Sequence, residues 1–493
     1  FCAERRMLKS VEDIWYTNFI EYGIIKDKQK ENNLDSVIVI NKGQDMEAYM
    51  DQFFLKNIEL VNFRRFTDSK FELNPRMSVF IGKNASGKTS VLEAVNVILG
   101  AYLASYKEYV PSRFVYNISD NDVRRKSMKP IKSVAMASTI KQFPCTINST
   151  ICWDDNNVSC KRGLTKEGGR TKFIGKNPMR DNVLNWEKAI KAADGSDKNQ
   201  IYPLVLYLSS ARLWNENRTG EMEKIPSRTD AYQRCLDKKR SSQSAFEYIK
   251  LLKNLSVEEN WGAFLPSYET IMKAVQYSLQ EELQPEQQII FSSRYGEIAI
   301  MEPDGTVIDF SALSDGYRNV IKIVTDIATK MCILNPYLGE EALEKTPGVV
   351  VIDELDLSLH PTWQKRIVRI LKELFPKIQF ICATHSPFII QSLEPGELFV
   401  LDAALDEEYS GQSIEDIAED IMQVPVVRYS EKKQKMYEAA DAYFKALKKN
   451  VSSEELNELK TRLDLLSAEY SDNPAYCALL QQEYLKKKVE IEG

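Results

Sequence analysis

The chain holds 493 residues, 43% apolar and 28% charged, with 65 basic against 71 acidic side chains and a net charge of −6. That balance fits a cytoplasmic globular protein of two or three domains rather than a coat for nucleic acid, and leaves room for a local basic patch. There are only two histidines, His360 and His385, so zinc-deaminase, H-E-x-x-H, HNH-type or Cys2His2 chemistry has at most one or two possible sites.

Residues 1–50 are mixed, with a charged run from Lys26 to Asn33 and a β-like stretch, Val37 to Ile40, and read as an extension before the main domain. From Phe53 short β-type runs follow: Ile58 to Asn62, Lys70 to Leu73, and Ser78 to Ile81, which ends at a glycine. The helix predicted from Thr89 to about Ala104 is apolar on most faces, as a helix buried against a sheet should be. More strand-like stretches lie between Val134 and Cys160, including Cys145 to Trp153 with a turn signal from Asp154 to Asn157, and then a basic loop from Lys161 to Lys176. Leu204 to Leu208 is a continuous apolar run, the pattern of a fully buried strand.

Residues 228–285 read mainly as helices. Gln288 to Arg294, Glu297 to Met301 and Thr306 to Phe310 then look like an antiparallel meander, turned at Pro303-Asp304-Gly305. Gly348 to Ile352 and Gln379 to Ala383 resemble central parallel strands, joined by a crossover helix from Trp363 to Leu374. After about residue 402 the chain turns helical, with Ser413-x-x-Asp416 and Ser452-x-x-Glu455 as capping signals. The stripes Ile414/Ile417/Ile421, Met436/Ala440/Tyr443/Leu447 and Leu456/Leu459/Leu463/Leu466 fit packing in a small bundle; a partner or oligomer contact on one face is the alternative.

The eight cysteines include no C-x-x-C pair, which points to reduced, buried thiols. The longest apolar stretch, Val95 to Ala104, is interrupted by Asn96 and Gly100 and is too short to cross a bilayer, so no membrane partner is expected. Around Glu4, Arg5, Arg6 and Lys9 there is no apolar signal-peptide core.

Three segments carry chemistry. Gly82 to Thr89 fits G-x-x-x-x-G-K-[ST] after an apolar strand and at the opening of a helix. Its glycines let successive backbone N–H groups turn toward phosphates, Lys88 reaches the β and γ oxygens, and the Thr89 hydroxyl ligates Mg2+. An ordinary Gly-rich turn is the alternative, and the strand–loop–helix context argues against it. Val349 to Glu354 delivers two adjacent carboxylates at the end of a buried strand. Strand alternation points them apart, so one can serve the Mg2+ shell while the other orients the attacking water; a solvated turn is the alternative. Phe310 to Arg318 precedes a helix and carries Ser314 and Gly316, an N-terminus suited to a γ-phosphate; simple capping would also explain it.

The order of these segments, followed by Ala383-Thr384-His385-Ser386-Pro387, resembles the ABC-type ATPase heads of the SMC, RecF and OLD group. The resemblance covers residues 53–400. It implies an α/β fold: an ABC-type head with a mixed sheet core, an antiparallel β-subdomain and a helical lobe, plus a C-terminal helical domain. The corresponding division is 1–50, 51–402 with a helical insertion about 228–285, and 403–493. It further implies a Walker A loop that binds ATP through Gly82, Asn84, Gly87, Lys88, Thr89 and Ser90, and a Walker B strand whose Glu354 is the catalytic base. Asn62-Phe63-Arg64-Arg65-Phe66 is similar to the family's N-F-R-x-F segment and would bring Arg64 near the nucleotide. Leu313 to Arg318 resembles the signature, so Ser314 and Gly316 would act on nucleotide bound by a partner subunit in a head-to-tail dimer or higher oligomer. His385 takes the place of the γ-phosphate switch, and His360 falls in the D-loop segment, where a helix-start role is the alternative. Gln142 is the candidate for the Q-loop and a third Mg2+ ligand beside Thr89 and Asp353.

The insertion between Thr89 and Ser314 lacks sustained heptads, which disfavours long-armed SMC-like repair proteins. No acidic Toprim pattern follows His385. Leu204 to Trp214, Ile352 to Pro361 and Gly411 to Ile417 resemble the ATPase subunit of Septu-type antiphage defence systems (PtuA), relatives of which occur as retron effectors. That resemblance implies a separate HNH nuclease subunit (PtuB-like), nucleic acid met through the complex and, in a retron, a reverse transcriptase with its msDNA. The histidine count agrees, because this chain has none to spare for an HNH site. The alternative is a RecF- or SMC-like repair ATPase that binds DNA itself through Arg124, Arg125, Lys126, Lys129 and Lys132, a run that a solvated loop also explains.

Overall fold

The computed structural model describes residues 53–106, 111–127, 139–153, 156–175, 177, 179–180, 183, 200–213, 222–238, 243–257, 265–292, 294–402, 412–424, 431–449 and 452–468. Residues 1–50, Asp154, Asp155, Lys129, Lys132, Trp214 and Gly411 lie outside the described residues, as does the side chain of Leu447.

β1 (Phe53–Leu55), β2 (Asn57–Phe63) and β3 (Phe66–Glu72) open an antiparallel sheet. β4 (Met77–Ile81) is buried at every position and leads through the Gly82–Gly87 loop into α1 (Lys88–Leu103). α1 is buried on nearly all sides, as its apolar content predicts. β5 (Arg125–Ser127) pairs with β6 (Thr139–Lys141), and β7 (Cys145–Trp153), β8 (Asn156–Leu164) and β9 (Lys172–Phe173) complete the antiparallel sheet in the order β3-β2-β7-β8-β9, with β1 against β7. The basic loop predicted from Lys161 therefore starts later. Lys161 faces out while Cys160 and Arg162 face in, and Arg162 donates to Val97 O at 2.7 Å and Tyr116 O at 2.8 Å.

β10 (Leu204–Leu208) begins the second half of the core. α2 (Gln243–Val257) and α3 (Leu265–Leu279) follow, and then the meander β11 (Gln288–Ser292), β12 (Glu297–Met301) and β13 (Val307–Asp309), paired as expected. α4 (Asp315–Leu334) starts inside the segment expected to precede it, with Ser314 as its N-cap and Asp315 to Arg318 as its first turn. β14 (Gly348–Ile352), α5 (Pro361–Leu374), β15 (Ile378–Ala383), α6 (Pro387–Gln391) and β16 (Leu398–Val400) complete the core. Its sheet runs β10-β14-β15-β4-β16 with every neighbour parallel. The described strands thus divide into one wholly parallel core sheet and three separate antiparallel ones: the sheet of β1–β3 and β7–β9, the β11–β13 meander and the β5–β6 pair. Both faces of the parallel strands are covered, which is why they are apolar throughout; each fully buried Val, Leu or Ile contributes roughly 1.5–3 kcal/mol.

Gln379, a polar residue on buried β15, joins the two sheets. Its amide accepts from Leu55 N at 2.9 Å and donates to Leu55 O and Asn74 O, both at 2.8 Å. Toward the C-terminus, Ile417 and Ile421 are buried in the main core, whereas α7 (Glu431–Lys449) and α8 (Ser453–Ala468) share a small core of their own around Met436, Ala440, Tyr443 and Leu463. Among the described residues no helix is long and apolar enough to cross a membrane.

Candidate functional site

The C-terminal ends of β4, β14 and β15 meet at one cleft, the edge at which parallel α/β sheets present ligand-binding loops. Gly82 (φ +150°) and Gly87 (φ +104°) bracket the first loop. A Cβ on Gly82 would lie 2.7 Å from Ser86 Oγ, and one on Gly87 would lie 2.7 Å from Arg65 Cδ. α1 begins at Gly87 without a side-chain cap, leaving the first-turn N–H groups for an anion. Lys88 folds over the loop, its Nζ donating to Gly82 O at 2.8 Å and Lys83 O at 3.3 Å. Burial lowers its pKa, against the pull of Asp402 and Asp353.

Asp353 and Glu354 leave the end of β14. Asp353 is 6% exposed, and Thr89 Oγ1 stands 3.4 Å from each of its carboxylate oxygens. Burial, then the neighbouring Glu354, raises its pKa. Glu354 is exposed with a left-handed backbone, φ +50°. His385 follows β15; Asp356 holds this segment by accepting from Thr384 Oγ1 at 2.6 Å and His385 N at 3.2 Å. Burial, then Lys88, lowers the His385 pKa.

The cleft measures about 410 Å³ and is lined by Arg64, Asn84, Gly87, Lys88, Thr89, Ser90, Asp353, Glu354 and His385, together with Arg65, Ala85, Ala383 and Thr384. Arg64 is held in place by the buried Glu93 of α1 and by Asp122 at 2.7 Å. Burial pulls its pKa down, but Glu93 and Asp122 more than offset this and hold it above the usual value.

Ser314 and Gly316 do not line this cleft. They form the start of α4, where the place of a Gly316 Cβ is 3.3 Å from Ser358 O. Gln142 does not line it either: it follows β6, and its amide donates to Ile140 O at 3.2 Å. His360 is the N-cap of α5, its Nδ1 2.8 Å from Thr362 Oγ1, the helix-start arrangement.

Asp402 and Arg65 brace the loop. Asp402 accepts from Lys83 N at 2.7 Å, and Arg65 donates to Ala85 O at 2.7 Å and lies 3.6 Å from Asp402. A hydroxyl and a single carboxylate beside an anion-binding helix start are hard oxygen donors few enough to leave room for water and phosphate oxygens, which suits Mg2+. Among the described residues there is no group of three or more His, Cys, Asp or Glu side chains that could cage a metal unaided.

An AAA domain profile matches residues 57–290, and a second AAA domain profile, described with the AbiEii toxin of Type IV TA systems, matches residues 239–391. Over 400 residues the chain is 24% identical to the protein named Retron Vc95 probable ATPase of Vibrio cholerae, covering 71% of this chain and 73% of that one. Over 360 residues it is 25% identical to Septu protein PtuA of Bacillus mycoides, covering 72% of this chain but only 41% of that relative. A solved SMC head bound to the winged-helix domain of ScpA superposes with a TM-score of 0.39 at 17% identity, over 67% of this chain and 90% of that one. By sequence, the chain is similar over most of its length to the PtuA and retron ATPases.

Proposed function

We propose that the chain is the ATP-binding and ATP-hydrolysing regulatory subunit of an antiphage defence complex, and that its nucleotide state controls an HNH nuclease carried by a separate chain. The observation that carries this reading is the convergence of Lys88, Thr89, Asp353, Glu354 and His385, from three loops, on one cleft. The α1 N-terminus and the Gly82–Gly87 backbone bind the phosphates, helped by Asn84 and Ser90. Lys88 exchanges loop carbonyls for phosphate oxygens, and Arg64 holds the nucleotide from the side. Thr89 and Asp353 would hold Mg2+, which when bound neutralises phosphate charge. Glu354 takes the proton of the water that attacks the γ-phosphorus, ADP leaves, and the neutral His385 ring donates to the γ-phosphate oxygens.

Ser314 and Gly316 stand away from this cleft, which supports a head-to-tail dimer, or a higher assembly, in which they complete the site of a second copy. The nuclease assignment draws on the Septu and retron relatives and on the two histidines, one capping α5 and the other in the cleft. In a retron setting a reverse transcriptase and its msDNA would accompany the complex.

Co-expression with an adjacent HNH frame tests this reading: a stable complex should form whose cleavage of nucleic acid changes with nucleotide and with Lys88→Ala. A complex inert in every nucleotide state would sink it. Salt-sensitive DNA binding by the lone chain, lost on charge reversal of Arg124, Arg125 and Lys126, would instead favour a repair ATPase.

A further inference from the structure

Arg212 lies in the short turn after β10 and is 3% exposed. Its guanidinium donates to Asp353 O at 2.6 Å, Glu354 O at 2.7 Å, Ser209 O at 3.2 Å and Asn319 Oδ1 at 2.8 Å. None of these acceptors is a carboxylate. Its hydrogen bonds thus all go to neutral oxygens; burial pushes this guanidinium down to about 10, and the nearby Asp353, Glu354 and Asp356 carboxylates offset only part of that cost.

Two features show what the arginine holds. Glu354 keeps a left-handed backbone, a strained conformation for a non-glycine residue that persists only where the surroundings impose it. Arg212 takes both carbonyls that flank the Glu354 Cα. Asn319, fully buried near the start of α4, accepts from Arg212 and passes the connection on by donating to Leu357 O at 2.6 Å. One planar side chain thus ties the Glu354 backbone to the helix whose N-terminal end carries Ser314 and Gly316.

We infer that Arg212 is a positioning residue: with Asn319 it sets where the Glu354 carboxylate stands and links that placement to the N-terminal end of α4. The inference rests on the roles proposed above for Glu354 and for Ser314 and Gly316. Because those two residues serve the neighbouring ATP, the Arg212–Asn319 pair is the route by which one cleft affects the next. A lysine cannot replace the fork, since a point-like ammonium cannot hold two carbonyls and an amide at fixed angles.

Full-length Arg212→Lys, Asn319→Ala and the double variant test this by ATP hydrolysis, by binding of a fluorescent ATP analogue, and by the thermal midpoint. Each single change should lower kcat by about 10- to 100-fold, the cost of displacing a catalytic group through its support, with analogue affinity kept. The double variant should be no slower than the worse single one, because both changes cut one connection. If Arg212→Lys does not fold, Asn319→Ala, which leaves the Glu354 carbonyl bonds intact, carries the same test. Wild-type kcat in a folded single variant, affinity lost in step with kcat, or losses that multiply in the double variant would each overturn the inference. A wild-type chain that hydrolyses no ATP would overturn the underlying reading as well.

Discussion

Thr89 Oγ1 stands 3.4 Å from both carboxylate oxygens of Asp353, although the two residues arrive there from α1 and from β14. An ordinary hydroxyl–carboxylate bond is shorter, so the pair faces across a gap rather than closing it. Asp353→Asn or Thr89→Ala should lower kcat by about 10²- to 10³-fold while analogue binding persists. Titrating Mg2+ against rate checks this; wild-type rates and wild-type metal dependence in both variants would contradict it. Asp353→Asn should not lower the thermal midpoint, because it removes a charge that burial and Glu354 both disfavour.

Gly87→Ala should abolish nucleotide binding. The new methyl would meet Arg65 Cδ at 2.7 Å and Phe66 Cζ at 2.8 Å, at φ +104°. The strain is about 1–3 kcal/mol, and the loop would relax by turning its N–H groups out of the phosphate path. Analogue fluorescence reads the loss; tight binding by the variant would show that the loop does not cradle phosphate.

What was legible in the sequence follows from how local each feature is. Gly82–Thr89 and Val349–Glu354 are contiguous segments whose residue types are set by their own chemistry, and they stand together in the cleft. Asp402 was not legible, because it reaches Lys83 only by way of β16, a three-residue strand with no period of its own. Arg212 was equally hidden: its partners are mostly carbonyl oxygens, which every residue carries. Gly316, a poor helix former, masked the true start of α4. Gln142 precedes β7, as a Q-loop residue would, but its side chain bonds back to Ile140 O and does not line the cleft.

Asp402→Ala should weaken nucleotide binding and Asp402→Asn should largely restore it, since an amide oxygen can still accept from Lys83 N. The lost bond is worth about 1 kcal/mol, a several-fold rise in Kd. Equal affinities in wild type and Asp402→Ala would remove the brace from the account.

His385 gives a pH signature. Its folded pKa lies below the 6.5 of the free side chain, with burial the main cause and Lys88 the next. The unfolded chain therefore takes up the proton first as pH falls. The neutral ring's stability contribution is complete above pH 6.5 and is lost as pH drops through the lower folded value. In nucleotide-free His360→Gln protein, proton NMR of the remaining histidine should titrate below 6.5. A midpoint at or above 6.5 would contradict the burial of the ring beside Lys88.

The most direct test compares steady-state ATP hydrolysis by the full chain and by Glu354→Gln at saturating ATP and Mg2+. The wild-type chain should turn over ATP, and the variant should bind ATP with unchanged affinity while losing about 10²- to 10⁴-fold in kcat, the worth of a general base. Equal turnover by the two proteins, or none by the wild type, would contradict hydrolysis at this cleft.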